Sequence, residues 1–436
     1  MIRVLVADDS AFMRKILSDL FNQQSDFQVV GTAINGKDTI EKVKQLKPDV
    51  LTLDVTMPVM DGLQALAVIM EECPVPVVMF SSMTQRGTDA TVRALSLGAV
   101  DFISKAGGSI SKIDNLQDEI LTKCREAAQA HVNKSKPFAS KPLTFTAKPS
   151  TTTSTPTSTI SAQSNTLKTS TTSSFTNKFS NSLNTPTSQS PATSTPSTSE
   201  LWQKRKIEIQ RKSGLKLGQK PVIKHVPSTT APPVKPSSSA GFSSGSKKLV
   251  AIGTSTGGPQ ALQAVITRLP GNLPCGVVIV QHMPAGFTKS LAERLDSISA
   301  ISVKEAENDE IIKDGQVYIA PGNYHMRVAP AGVGARKIVL SQEPPVGNHR
   351  PAVNVLFDSV AQFRKDLVSV IMTGMGCDGC EGMKKIKANG GYCIAQDENS
   401  CVVYGMPKAV VDAGLSDEVR PLTQIAEAIV EAVRNN

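Results

Sequence analysis

Short apolar runs alternate with amphipathic segments over residues 1–128. Strand-like runs fall at residues 2–7, 27–33, 50–54, 75–80 and 99–104. Between them apolar side chains recur at helical spacing, as in Phe12, Ile16 and Leu20, and again in Ile40, Val43 and Leu46. Five strands alternating with helices predict a parallel sheet covered on both faces. The pattern then stops. Residues 139–199 are more than half Ser and Thr, punctuated by Pro and poor in large apolar side chains. Such a segment cannot bury enough surface to offset its ordering entropy, which predicts a disordered linker. One island interrupts it at residues 201–209, LWQKRKIEI, which reads as a short basic helix that is solvated or docks weakly.

From Leu249 the alternation resumes. Residues 249–253, 277–281, 367–372 and 392–395 read as buried strands, and 317–320 with 337–340 as a shorter, irregular β insertion. Helical patterns cover 259–268, 289–295, 353–364 and 423–433. The fold class expected is therefore α/β, with two open, mostly parallel domains. They occupy residues 1–128 and 247–436, joined by a basic Ser/Thr/Pro-rich linker over 129–246.

Charge sharpens the division. Residues 131–245 carry 15 Lys/Arg against 2 Asp/Glu, a net +13. The whole chain is +9, so the remainder is −4, the difference between the two. The basic excess sits in the linker rather than on a folded face, so it is poor support for nucleic-acid binding. No stretch approaches the roughly 18–20 apolar residues of a membrane span. The N-terminus reaches Asp8 and Asp9 too early for a signal peptide. Seven cysteines, an odd number, suit a reducing compartment better than a disulfide framework. These features together predict a soluble cytoplasmic protein.

Two constellations carry chemistry. In the first, Asp8 and Asp9 follow the first strand and Asp54 ends the third. Strand carboxyl ends of an open parallel sheet converge on one edge, where ligands sit. Three carboxylates there repel one another unless a hard cation such as Mg²⁺ joins them. Ser81 after strand four and Lys105 after strand five add a hydroxyl and an ammonium. A single Asp at a strand end reads better as a helix cap. The joint arrangement with Lys105 instead suits phosphoryl transfer onto a carboxylate.

These residues, with the run DVTMPVMDG at 54–62, resemble a response-regulator receiver domain, which has a flavodoxin-like fold. The resemblance implies Asp54 as phosphoacceptor and Asp9 as a direct Mg²⁺ ligand. It further implies Asp8 acting through water and the Thr56 carbonyl as a ligand. Ser81 and Lys105 would sense the phosphoryl group, with Phe102 at a switch position. Receivers usually have Pro after the lysine; here it is Ala106.

In the second constellation, GTSTGGP at 253–259 follows a strand and opens a helix. A glycine-rich turn could cradle a phosphate, but the spacings and lysine of dinucleotide and nucleotide motifs are missing. Alternatively it presents Ser255 on a sharp turn with N–H groups nearby as an oxyanion hole. His282 follows the next apolar strand and Asp378 follows the strand at 367–372. Ser, His and Asp at one sheet edge are the parts of a triad. Their chain order differs from that of α/β-hydrolases, which argues against the ordinary lipase fold. The pair Cys377 and Cys380 brackets Asp378, but the spacing of Cys393 and Cys401 does not suit a zinc site.

With APG at 320–322 and YGMP at 404–407, these motifs resemble the catalytic domain of the chemotaxis protein-glutamate methylesterases, a Rossmann-like domain. The resemblance implies Ser255 as nucleophile, His282 as general base and Asp378 as its orienter. N–H groups around Thr256 and Met375 would hold the oxyanion. It also implies methyl-esterified glutamates and selected glutamines of membrane-bound, methyl-accepting chemoreceptors as substrates. The phosphodonor would be a chemotaxis-type sensor histidine kinase, with Mg²⁺ in the receiver and no cofactor in the hydrolase. Two rival outputs remain distinguishable. A receptor-binding domain without catalysis would lose a triad member, and a DNA-binding output would show a recognition helix after residue 128. Neither feature is present in the sequence.

Overall fold

Asp8, Asp54 and Lys105 are brought together by the first sheet. Strands β1 (Ile2–Ala7), β2 (Phe27–Ala33), β3 (Val50–Asp54), β4 (Val77–Ser81) and β5 (Asp101–Ser104) pair in the order β2-β1-β3-β4-β5, all parallel. The crossovers are α1 (Ala11–Asn22), α2 (Gly36–Leu46), α3 (Gly62–Glu72) and α4 (Gln85–Leu97), with α5 (Ile113–Ala128) after β5. Val50–Asp54 is buried along its whole length, as expected of a central strand covered on both faces. The computed structural model describes residues 1–81, 84–105, 113–130 and 248–435. The expectations for Ala106, for the linker beyond Ala130 and for the island at 201–209 concern residues outside these.

The second sheet has seven parallel strands in the order β14-β13-β12-β6-β7-β9-β8. They are β6 (Leu249–Thr254), β7 (Gly276–Gln281), β8 (Ser302–Glu305), β9 (Gln316–Ile319), β12 (Leu367–Ile371), β13 (Tyr392–Gln396) and β14 (Glu418–Arg420). A separate antiparallel hairpin joins β10 (His325–Pro330) to β11 (Arg336–Ser341). The helices are α6 (Gly258–Ile266), α7 (Phe287–Ile298), α8 (Val353–Val360), α9 (Cys380–Ala388), α10 (Met406–Asp412) and α11 (Leu422–Asn435).

Two expectations need correction. The run at 317–320 is not part of an irregular insertion: β9 lies inside the main sheet, hydrogen-bonded to β7 and β8. The helix expected over 353–364 ends at Val360 and continues as a 3₁₀ segment, Ala361–Asp366, because Arg364 departs from helical backbone (φ 54°, ψ −129°).

β6 is buried throughout and sits between β12 and β7. From β6 the chain runs one way through β7, then crosses back to β12 on the other side. That reversal of strand order opens a crevice beyond the carboxyl ends of β6 and β12. Ser255 and Asp378 follow those two strands.

The described residues of both sheets belong to one compact unit. A single apolar cluster includes Leu95 and Phe102 of the first sheet's domain together with Leu262 and Phe287 of the second. Helix α4 packs against α6 and α7. Phe102 and Phe287 meet with ring centroids 4.4 Å apart. Polar contacts flank this core: Ser290 Oγ donates to Asp89 Oδ1 (2.8 Å), and the Gly257 N–H to the Val100 carbonyl (3.3 Å). No described helix is long and apolar enough to cross a membrane.

Candidate functional site

At the first sheet's edge, one ligand atom from each of Asp8, Asp9 and Asp54 lies within 4.8 Å of the others. Asp8 and Asp54 are buried and Asp9 is exposed. Lys105 Nζ bridges Asp8 Oδ2 (2.9 Å) and Asp54 Oδ2 (2.7 Å). Burial pushes the Asp54 carboxyl above its ordinary range; Lys105 opposes that shift and Asp8 adds to it. Burial also works against the Lys105 ammonium, but the Asp54 and Asp8 carboxylates outweigh it and hold the lysine charged. Three carboxylates against one ammonium leave an excess of negative charge in a largely buried place. Hard oxygen donors in that arrangement fit Mg²⁺.

The remaining receiver positions are placed less simply. The Thr56 N–H hydrogen-bonds to the Asp54 carboxylate. Ser81 is buried, and its hydroxyl donates to the Gly87 carbonyl in the first turn of α4 (2.9 Å). Phe102 is buried against Phe287, with Lys123 Nζ 5.0 Å from its ring centroid. Both positions thus connect the acidic edge to elements that touch the second domain.

At the second sheet's edge, His282 Nδ1 lies 3.1 Å from Ser255 Oγ, and His282 Nε2 lies 2.8 Å from Asp378 Oδ2. Each ring nitrogen has its own partner, so the ring's in-plane direction is set from both sides. Asp378 also accepts from the N–H groups of Val353 (2.7 Å), Asn354 (2.9 Å) and Gly379 (2.9 Å). The first two open α8, where N–H groups and helix dipole favour an anion. Burial alone would raise the Asp378 pKa. The His282 contact and the backbone donors outweigh it and hold the carboxyl below its ordinary range.

The turn that presents Ser255 is built by close contacts. Gly257, at φ 76°, caps α6 and turns the chain out of β6. Gly374 faces it: a Cβ there would lie 2.8 Å from Ser255 Cβ and 2.3 Å from Met406 Sδ, so only glycine admits this approach. The Ser255, Gly257 and Gly258 N–H groups already donate to Thr373, Val100 and Ser255 carbonyls. Among the described residues, the N–H groups of Thr256 and Met375 have no acceptor. Both residues line the same cavity as Ser255, together with Gly376, whose N–H likewise has no acceptor among the described residues.

A cavity of about 860 Å³ opens on Ser255 and His282. Its near wall includes Ser255, His282 and Met375; its far wall includes Asp101, Lys123 and Glu126 of β5 and α5. Thr256 Oγ1 donates toward Asp101 Oδ2 at 3.3 Å, with Glu126 Oε2 at 3.5 Å. The first domain therefore roofs the mouth of the second domain's crevice.

Sequence reasoning missed two residues here. Gln281 is 2% exposed; its Nε2 donates to the Ser255 (2.9 Å) and His282 (3.1 Å) carbonyls while Thr254 Oγ1 donates to its Oε1 (2.6 Å). The signal was a polar residue closing an otherwise apolar strand. The other is His349, which stacks on the His282 ring. That contact spans 67 positions and leaves no local pattern.

The pattern that defines CheB methylesterases matches residues 250–429, and that of the response regulator receiver domain matches residues 4–116. A protein-glutamate methylesterase/protein-glutamine glutaminase of Symbiobacterium thermophilum is 42% identical over 435 residues, which is 99% of this chain and 97% of that one. The protein of the same name from Geobacillus kaustophilus is 39% identical, with 99% of each chain covered. Among solved structures, the Thermotoga maritima CheB methylesterase catalytic domain is 48% identical, covering 42% of this chain and 97% of that one at a TM-score of 0.41. Full-length relatives at this identity, with both patterns in the same chain order, place the protein in the CheB methylesterase family, with a response regulator receiver domain at its N-terminus.

Proposed function

We propose that residues 247–436 hydrolyse glutamyl methyl esters, and selected glutamine amides, on methyl-accepting chemoreceptors, under control of a phosphorylatable receiver at residues 1–128. The observation that carries this reading is the Ser255–His282–Asp378 hydrogen-bond chain at 3.1 and 2.8 Å, in a cavity also lined by Thr256 and Met375, whose N–H groups have no acceptor among the described residues. Ser255 Oγ attacks the ester carbonyl while His282 Nδ1 takes its proton. Asp378 holds the Nε2–H and stabilises the imidazolium that forms. The carbonyl oxygen gathers negative charge and is met by the Thr256 and Met375 N–H groups. The imidazolium then protonates the departing methoxide, which leaves as methanol. Water, deprotonated by His282, attacks the acyl-enzyme ester, and Ser255 leaves with its proton restored. At glutamine the same steps expel ammonia.

In the receiver, Asp54 is the phosphoacceptor, served by a chemotaxis-type sensor histidine kinase. Asp8, Asp9, Asp54 and the Thr56 carbonyl would hold Mg²⁺, which would neutralise charge on the transferred phosphoryl group. Lys105 pairs with the phosphoryl oxygens, and Ser81 and Phe102 relay the change. Phosphorylation weakens the contact between α4–β5–α5 and the catalytic crevice, so access to Ser255 rises. The test incubates the purified chain with methyl-labelled receptor membranes, with and without phosphodonor. Methanol release that the phosphodonor increases supports the reading, and receptors that keep their label in both arms overturn it.

A further inference from the structure

His349 sits in a tight turn after β11. The Val346 and His349 backbones exchange two hydrogen bonds (3.1 and 3.0 Å) around Gly347 and Asn348, both at positive φ. Arg350 fastens the next residue, donating to the Gln342 (3.0 Å) and Glu343 (2.9 Å) carbonyls and to Asn323 Oδ1 (2.5 Å). Three residues further on, Val353 and Asn354 donate their N–H groups to Asp378. One short segment, residues 346–354, therefore reaches two members of the triad.

The reach to His282 is face to face. The two imidazole rings have centroids 3.7 Å apart and planes within 9° of parallel. We infer that His349 is a positioning residue: its flat ring backs the His282 imidazole and holds it with Nδ1 toward Ser255 and Nε2 toward Asp378. Hydrogen bonds at the two nitrogens fix the ring's in-plane direction, yet they resist tilting out of plane only weakly. A parallel ring at van der Waals distance blocks that tilt. The groups facing His349 are His282 at the end of β7, Asp378 after β12 and Lys123 on α5. Burial, with His282 adding and Asp378 opposing, brings the His349 pKa down to about 4, so near neutral pH the backing ring carries no charge. An uncharged π face tolerates the imidazolium that His282 becomes during catalysis, where a second cation would repel it.

The inference rests on the serine mechanism above but not on the receptor substrate. The test therefore uses the full chain with p-nitrophenyl acetate, following acylation of Ser255, and ¹⁵N spectra of the His282 ring, which need no turnover. His349→Ala is expected to slow acylation about 10–100-fold, the cost of a misplaced catalytic group. In the same variant the His282 ring should lose its preference for the Nε2–H tautomer while the unfolding midpoint stays near that of the parent. His349→Phe keeps a flat ring at the same place and should recover most of the rate and the single tautomer. Two outcomes overturn the inference. One is His349→Ala with the parent's tautomer. The other is His349→Phe as impaired as His349→Ala, which would make a polar contact, not the ring face, the working part. An unreactive parent chain whose His282 tautomer still depends on His349 would count against the serine mechanism and for the positioning role.

Discussion

The two sheet edges are built alike and balanced differently. In both, polar side chains follow the carboxyl ends of adjacent parallel strands, where neighbouring strands deliver residues distant in sequence to one place. The receiver edge gathers three carboxylates around one ammonium and leaves negative charge uncompensated. The catalytic edge holds one carboxylate, whose oxygens take three backbone N–H groups and one imidazole nitrogen. An edge with unmet charge is sensitive to what binds it, which suits a switch. An edge whose charges are met internally is preorganised, which suits catalysis.

The largest expected effect lies at the preorganised edge. Ser255→Ala should lower methanol release by about 10⁴–10⁶, and adding His282→Ala should make it hardly worse, because the triad acts as one unit. Asp378→Asn should cost about 10⁴, since the amide N–H₂ would face N–H donors where the carboxylate accepted and would no longer hold the Nε2–H tautomer of His282. Full activity in Ser255→Ala would end the serine mechanism. EDTA separates the two edges further: it should abolish labelling of Asp54 by a small phosphodonor while leaving basal hydrolysis as it was. If EDTA stops both, the division of labour between the edges is wrong.

How much of this was legible differs between the edges and the core. Long buried runs such as Val50–Asp54 and Leu249–Thr254 announce themselves by composition, and the chemistry-bearing residues directly after them inherit that clarity. β8 and β14 are only four and three residues long and partly exposed, so neither period nor burial marks them. β9 is equally short, and its place between β7 and β8 follows from a crossover that no local pattern encodes. The side-chain direction of Ser81, donating to Gly87 in α4, is a rotamer choice that a position at a strand end does not reveal. His349 lies in a turn, where periodicity carries no information at all.

The next effect in size concerns coupling. Asp54→Asn should take up no acyl phosphate, and phosphodonor should no longer stimulate it. Allosteric couplings of about 1–3 kcal/mol correspond to roughly 5–150-fold, so that is the activation at stake. The same contact can be attacked from the catalytic side. Ser290 is 4% exposed and hydrogen-bonded to Asp89, and it does not line the cavity at Ser255. Ser290→Phe overfills that contact, a change that typically costs about 1–3 kcal/mol where packing is tight. Basal hydrolysis without phosphodonor should then rise several-fold, with little further gain on adding phosphodonor. A Ser290→Phe protein that is no faster than the parent and still responds fully to phosphodonor would show that the roof does not limit access.

The smallest effect is a pH dependence carried by the roof itself. Burial and the neighbouring Asp101 carboxylate push Glu126 from 4.5 up to about 7, while Lys123 and the Thr256 hydroxyl pull the other way. Glu126 lines the cavity together with Ser255 and Thr256, so part of the burial that raises it exists only while the two domains are in contact, against the smaller opposing pull of the Thr256 hydroxyl. A carboxyl that holds its proton more tightly when docked takes up a proton on docking. Docking is then fully favoured below the ordinary carboxyl value and weakens as the pH rises toward about 7. Unphosphorylated protein should accordingly become more active between about pH 5 and 8 than the titration of the triad alone provides. Dividing the rate of the parent by that of Glu126→Gln at each pH removes the triad's own profile, because both proteins share it. Glutamine mimics the protonated carboxyl, so the variant should stay docked and the ratio should climb with pH. A ratio that is flat across that range would mean that Glu126 keeps the same proton affinity whether or not the domains touch, and the roof would then be held by its apolar contacts and the Ser290 hydrogen bonds alone.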